Sequence, residues 1–512
     1  MKKTFKFFAA ALAIVAAASC AKEISNDAIQ APEQELVHKV FTASLNVDPE
    51  TKTTLHTDGV SVHWTEDDVI KVIPADSEYG NNFNVMSCNG TFADFEGETV
   101  DANSYRAVYP ASAYMNGSIG VVYSYKNYFI FASKDSKCAL AHQYAVENDF
   151  SVIKEFNASS NFAISTSSQD DNLYFKNINA YLKLSLAMDD AASIEVSASK
   201  INSAPYNDDG TQSYSTDAKL GGPIAYHLSK NKKGIVPNNG ENIIFSKEDG
   251  SNLLSGDDIH YYIAIPSVGM YDLQLVVRDA NGKVLQKLVK SGKFTPAANN
   301  IYDLGLIEPM PPAKVGDYVY SDGSYSTNLN TSKEVVGVVF YAGNPKDRFN
   351  DPDLPGKYGN GLAVSIKTYS TLWNNSKPSV SNTLLKVSFS NLGSHDTCGY
   401  TIKNLWNSEG ISLNVYNYNY GTLSENTSGW YLGTLKEWTC IFENITAVNN
   451  TLANVSGSVS VDPTSTYPYV LPLYSGTANF QVYRKSNGST GYQSCSYNIT
   501  SYQQTVRPIF AF

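Results

Sequence analysis

Apolar residues along most of this chain recur at every second position, and that spacing predicts strands rather than helices. Leu182-Lys183-Leu184-Ser185-Leu186 alternates strictly, following Leu173-Tyr174-Phe175, Ile178 and Ala180 after a start near Asn172. Val60-Ser61-Val62-His63-Trp64 and Asp68-Val69-Ile70-Lys71-Val72 carry the apolar residues of two more short strands. Leu273-Gln274-Leu275-Val276-Val277-Arg278 runs into Asp279-Ala280-Asn281-Gly282 and leaves through Val284-Leu285. That is a hairpin whose glycine supplies the positive φ its turn needs. Val335-Val336-Gly337-Val338-Val339-Phe340-Tyr341 is apolar almost throughout, as a buried strand would be. One segment has helical spacing instead: Leu435, Trp438, Phe442 and Ile445 share a face. Thr434 and Glu437 stand as a capping box at its start, hydroxyl and carboxylate answering reciprocal backbone donors. Its role is packing.

A different pattern opens the chain. Behind Lys2, Lys3 and Lys6 the sequence runs apolar from Phe7 to Ala18, the form of an export leader. A spanning helix needs roughly 20 residues, so this run is too short. Ala17-Ala18-Ser19 directly before Cys20 resembles the bacterial lipobox. There a cysteine thiolate is the nucleophile that takes a diacylglyceryl group. Residues 1–19 are thus expected to be a lipoprotein signal peptide, with Cys20 lipidated and residues 20–37 a polar tether. No later segment approaches a membrane span, so two or more acyl chains would be the only membrane attachment.

Length and charge narrow the class. At 512 residues the chain exceeds one core. Its 35 tyrosines, with abundant Asn, Ser, Thr and Val, favour strands and turns. A net charge of −11 without a basic cluster argues against nucleic acid as a partner. It argues equally against electrostatic attachment to anionic lipid. Besides Cys20 there are Cys88, Cys138, Cys398, Cys440 and Cys495, with no Cys-x-x-Cys; the odd count leaves one free or pairing between chains. The connectivity stays open. Glu308-Pro309-Met310-Pro311-Pro312 predicts a stiff linker at 309–313. It divides a pair of β-sandwiches, 38–171 and 172–308, from a last unit at 314–512.

The first pair resembles a known family. Phe41-Thr42-Ala43-Ser44-Leu45, Lys52-Thr53-Thr54 and Val62-His63-Trp64-Thr65-Glu66-Asp67-Asp68-Val69-Ile70-Lys71-Val72 look like the opening of fimbrillin-like proteins. Tyr105-Arg106-Ala107-Val108-Tyr109-Pro110 and Asn300-Ile301-Tyr302-Asp303-Leu304-Gly305 resemble that family's middle and end. The resemblance covers roughly residues 38–308 and implies two transthyretin-like β-sandwich domains. It also implies assembly by strand exchange with pilin subunits, a neighbour's segment filling the place of a proteolytically removed first strand. Processing in the family follows a basic residue, usually arginine. Here no arginine precedes Arg106, and Lys39 and Lys52 are the lysines of the early strand region. Trp64 and Tyr109 read as core aromatics.

The last unit resembles a second family. Gly316-Asp317-Tyr318-Val319-Tyr320, Gly429-Trp430-Tyr431-Leu432-Gly433-Thr434-Leu435 and the terminal Val506-Arg507-Pro508-Ile509-Phe510-Ala511-Phe512 are similar to the Lcl C-terminal domain. That implies an α+β, C-type-lectin-like domain. Gly433 departs from the family's proline, and the family's late Tyr-Trp-Ser-Ser segment is missing, so its ligand contacts do not transfer. In Ile411-Ser412-Leu413-Asn414-Val415-Tyr416-Asn417-Tyr418-Asn419-Tyr420, read as a strand, Tyr416, Tyr418 and Tyr420 share one face. They are the candidate ligand-binding face, tyrosine offering large contact area with a polar tip.

Catalytic patterns do not occur. There is no Gly-x-Ser-x-Gly, His-Glu-x-x-His, phosphate loop or dinucleotide fingerprint, and the seven histidines are scattered. Glu66-Asp67-Asp68 and Asp257-Asp258 lack EF-hand spacing and read as solvated loops. No enzyme activity, metal or cofactor is therefore expected. The expectation is a lipid-anchored, surface-exposed outer-membrane protein, an adhesin or a pilus tip or accessory component, binding a glycan or protein ligand. The alternative is a surface glycan-binding lipoprotein of a nutrient-uptake system.

Overall fold

The computed structural model describes residues 35–45, 64–77, 79–114, 128–131, 140–145, 162–168, 170–204, 213–229, 231–237, 240–349, 353–371, 399–408, 420–462, 469–474, 478–496 and 504–512. The leader, Cys20, residues 20–34 of the expected tether and residues 60–63 lie outside them, as do Tyr416 and Tyr418; the last tether positions, Leu36 and Val37, already belong to the first strand.

The first unit is a barrel. β1 (Leu36–Leu45) turns Phe41, Ala43 and Leu45 inward and Val40 and Thr42 outward, as period-two alternation demands. After it come β2 (Val69–Pro74), β3 (Asn81–Asn89), β4 (Phe92–Val100), β5 (Tyr105–Tyr109), the short β6 (Tyr128–Phe131) and β7 (His142–Tyr144), then β8 (Ala163–Ser168) and β9 (Asn172–Asn177). Seven of these close in the order β1-β4-β3-β2-β5-β8-β9. β1 makes the closure, antiparallel to β4 from Leu36↔Val100 to Ser44↔Phe92 and parallel to β9 from Thr42↔Asn172 to Leu45↔Phe175. The region expected as a β-sandwich over 38–171 thus has its strands paired in a closed ring of seven, which takes in β9 from beyond residue 171. Trp64 sits at its centre, edge-on to Phe95, Tyr109 and Phe175 at 5.0, 5.2 and 5.5 Å. Beside it Asp68 accepts the Tyr109 hydroxyl at 2.7 Å and the Thr65 N–H at 2.8 Å. Asp68 is buried, so it is a turn and core residue instead of a solvated loop acid.

The second unit holds β10 (Asn179–Leu186), β11 (Ala191–Ser197), β12 (Lys200–Ser203), β13 (Ser213–Ser215), β14 (Ile224–His227), β15 (Lys232–Ile235), β16 (Ile243–Ser246), β17 (Gly256–Pro266), β18 (Met270–Asp279), β19 (Val284–Phe294) and β20 (Ile301–Ile307). β10 lies between β17 and β20, and the rest join β6 and β7 in a ten-stranded sheet. Leu182, Leu184 and Leu186 bury against Ile194, Val196, Ile263 and Val277 in one core. Strand pairing therefore crosses residue 172 in both directions: β9 closes the first barrel, while β6 and β7 belong to the second unit's sheet. Gln143 on β7 fixes this, donating to the carbonyls of Leu140 and Ala264 and accepting the Ala264 N–H at 2.9 Å.

The β18–β19 hairpin turns at Gly282, φ +82, with Asp279 accepting the N–H groups of Asn281 and Lys283 at 2.8 Å. Its flank meets the last unit. Arg278 Nη2 donates to Glu195 at 3.1 Å and to Asn426 at 3.0 Å, and Lys287 Nζ to the Asp322 carbonyl at 3.1 Å. The proline segment is also tied down: Met310 N–H bonds Leu285 O at 2.8 Å, and Tyr325 OH bonds Pro311 O at 3.0 Å. It follows the hairpin strand instead of spanning a gap.

The last unit has two five-stranded sheets. One contains β21 (Tyr318–Tyr320), β22 (Tyr325–Ser326), β23 (Val335–Ala342), β24 (Gly361–Ser365) and, at its edge, β30 (Ile509–Ala511). The other contains β25 (Tyr369–Thr371), β26 (Tyr469–Tyr474), β27 (Ala478–Arg484), β28 (Thr490–Ser496) and β29 (Gln504–Val506). Helices α1 (Pro345–Phe349), α2 (Gly399–Ser408), α3 (Leu435–Glu443) and α4 (Ile445–Leu452) pack with them. β23 is buried on both faces, as its sequence requires. The capping box forms, but the helix ends at Asn444, so Ile445 opens α4 instead of closing α3. Glu437 is fully buried and accepts from Thr434 N–H and hydroxyl, Gly399 N–H and Tyr431 hydroxyl at 2.8–3.2 Å. Four donors on one carboxylate offset its desolvation.

Candidate functional site

Two surfaces come into question. On the predicted tyrosine face, Tyr416 and Tyr418 lie outside the described residues, while Tyr420 is 1 % exposed. Tyr420 packs edge-on to Tyr369 at 5.0 Å and against Trp430 at 5.7 Å, whose Nε1 donates to Gly421 O at 3.1 Å. Its contact area is spent on the core, and it presents nothing to a ligand.

The barrel wall around β1 is different. Cross-strand partners share a face. The outward rows across β4, β1 and β9 are therefore Phe92–Ser44–Tyr174 and Asp94–Thr42–Asn172. Phe92 is 57 % and Tyr174 56 % exposed, flanking a serine. In the neighbouring row Asp94 accepts the Thr42 hydroxyl at 2.8 Å and the Ser87 hydroxyl of β3 at 3.1 Å. Farther along β4 the same face carries Glu96 and Glu98, with His38 Nε2 3.7 Å from Glu96. Sequence reasoning placed Tyr174 in a strand segment without seeing that it faces outward, and it did not single out Phe92 at all. Both lie in alternating segments, Phe92-Ala93-Asp94-Phe95 and Leu173-Tyr174-Phe175, in which the inward register was ambiguous.

β1 itself is held unevenly. β4 pairs with nearly its whole length, while β9 reaches only Thr42–Leu45. Among the described residues, Leu36–Phe41 thus have one unpaired edge. Lys39 in that half reaches Asp101 at 3.0 Å and lies 5.0 Å from the Tyr105 ring. The hydrogen bond to Asp101 raises the lysine's pKa and lowers the carboxyl's.

On β10 and β17, Ser185 Oγ lies 2.9 Å from His260 Nδ1, and burial, then the Lys183 charge, pushes that imidazole below its ordinary value. Ser185 is buried in the middle of a sheet, and the described contacts place no oxyanion donors beside it. The pair holds two strands together. Cys88 and Cys440 are both free thiols, Cys440 being pushed up to about 11 by burial. Among the described residues no group of three or more His, Cys, Asp or Glu is placed to hold a metal ion, and no helix is long and apolar enough to cross a membrane.

No protein-family model matches the sequence, and no curated protein matches it. Solved structures similar to it include a fimbrial protein from Bacteroides ovatus, at 13 % identity and TM-score 0.37, covering 93 % of this chain and 100 % of that one. Another is the fimbrial anchor protein Mfa2 from Porphyromonas gingivalis, at 11 % identity and TM-score 0.24, covering 59 % of this chain and 96 % of that one. Values this low leave the fold to be read from the chain's own strand pairing.

Proposed function

We propose that this protein is a non-enzymatic adhesin of the cell envelope, associated with pili as a tip or accessory component. It is held at the outer membrane through lipidated Cys20 and displayed outward. The observation that carries the reading is the closure of the first barrel by β1, a strand that, among the described residues, is paired on both sides over Thr42–Leu45 and on one side before it. An edge of this kind suits recognition by strand addition, in which backbone groups supply affinity and alternate side chains supply specificity. The two units of 38–308 stand here for the transthyretin-like pair of fimbrillin-like proteins, and residues 314–512 for a C-type-lectin-like head. The tie of Lys39 to Asp101 and Tyr105 favours retention of β1, hence an accessory position over a repeating shaft subunit.

Immunogold labelling of intact cells tests the display, with a fatty-acid probe on wild type and Cys20→Ala in parallel. Surface label, probe incorporation lost in Cys20→Ala, and co-purification with pilin support the reading. Label that appears only after permeabilisation, or a deletion strain that adheres like its parent, overturns it.

A further inference from the structure

Building on that reading of an envelope-bound recognition protein, we infer that the barrel wall around Ser44 is a subsite for a neutral polysaccharide. Phe92 and Tyr174 stand on either side of β1 in register with Ser44, their backbones about 10 Å apart at twice the strand spacing. The small serine leaves a trough between two rings that are more than half exposed. Two aromatics this exposed in one row of the wall offer ring faces on which a ligand can stack.

The occupant's chemistry follows from the adjoining row. Asp94, Thr42 and Ser87 form a hydrogen-bonded trio beside the trough, with Asn172 in register across β1. A sugar ring carries apolar C–H faces and a rim of hydroxyls. It stacks on the two rings and hydrogen-bonds the polar row, as ligand sites with apolar walls and a few placed polar groups do. Charge selects among glycans. Asp94, Glu96 and Glu98 follow one another on the same face of β4, so a sulfated or sialylated chain meets like charge there. Lys176 lies two positions beyond Tyr174 on β9, at the other end of the wall, and makes an acidic polymer the necessary counter-probe.

The test uses the purified full chain in titration calorimetry, with a neutral β-glucan and heparin as separate probes, after a neutral-glycan array. Wild type is expected to bind the neutral polymer. Phe92→Ala and Tyr174→Ala each weaken binding about tenfold, whereas Tyr174→Phe keeps it; the melting temperature of these surface variants stays that of wild type. Three results overturn the inference: no neutral polysaccharide binds, heparin binds more tightly, or the double alanine variant binds like wild type. Adhesion separates this failure from that of the wider reading. A deletion strain that loses adhesion while the double alanine strain keeps it refutes the subsite and leaves the adhesin standing.

Discussion

β1 and β30 each complete a sheet, and they are held in opposite ways. β30 and its neighbours are buried at every side chain from Arg507 to Phe512. Its backbone is bonded to Tyr431 on one flank and paired with β24 on the other, and Phe510 meets Trp430 edge-on at 4.9 Å. Arg507 anchors it from beneath, donating to the carbonyls of Ser365, Ser460 and Val459 at 2.6–3.0 Å. β1 buries only Phe41, Ala43 and Leu45, and its first half keeps a free edge among the described residues. The difference is between a strand that is part of a core and one that closes a wall. Only the second can offer an edge to a partner without dismantling its unit.

Breaking the comparison begins with the largest effects. Phe510→Ala should destabilise the last unit by about 3–5 kcal/mol, seen as a lower calorimetric transition for that unit. Phe41→Ala should lower only the barrel's transition, by about 3 kcal/mol, because its contacts with Phe83 at 5.5 Å and Tyr105 at 5.0 Å lie within the barrel. Should both variants lower both transitions equally, the units would not be energetically distinct. Thr434→Ala removes a buried cap and should cost the last unit about 1 kcal/mol. Native-state hydrogen exchange sharpens the contrast inside β1: amides of 36–41 should exchange faster than those of 42–45, and uniform protection would contradict the half-locked strand.

The smallest effect is one of pH. Burial lowers the His260 pKa in the fold below its ordinary 6.5, so the unfolded chain takes the proton first. Stability from this group is complete above pH 6.5 and declines as pH falls below it. His260→Gln should flatten that slope in a urea titration of the second unit and leave the barrel's unchanged.

Local pattern made the strands legible. Leu182, Leu184 and Leu186 alternate because they share the face that packs into the second unit's core, and Asp279 to Gly282 could only turn. Thr434 and Glu437 were readable as a cap because that contact spans three residues. The capping box did not reveal that Glu437 also receives Gly399, since that donor comes from 38 positions away.

The sequence determined alternation, turns, the helix start and the acidic balance, all set by neighbours a few residues apart. Tertiary structure decided that β9 closes the first barrel, that Tyr420 faces the core and that Phe92 and Tyr174 face out. These depend on which distant strands pair. A register shift of one residue exchanges the two faces of a strand at no change in its sequence, so only the pairing could choose.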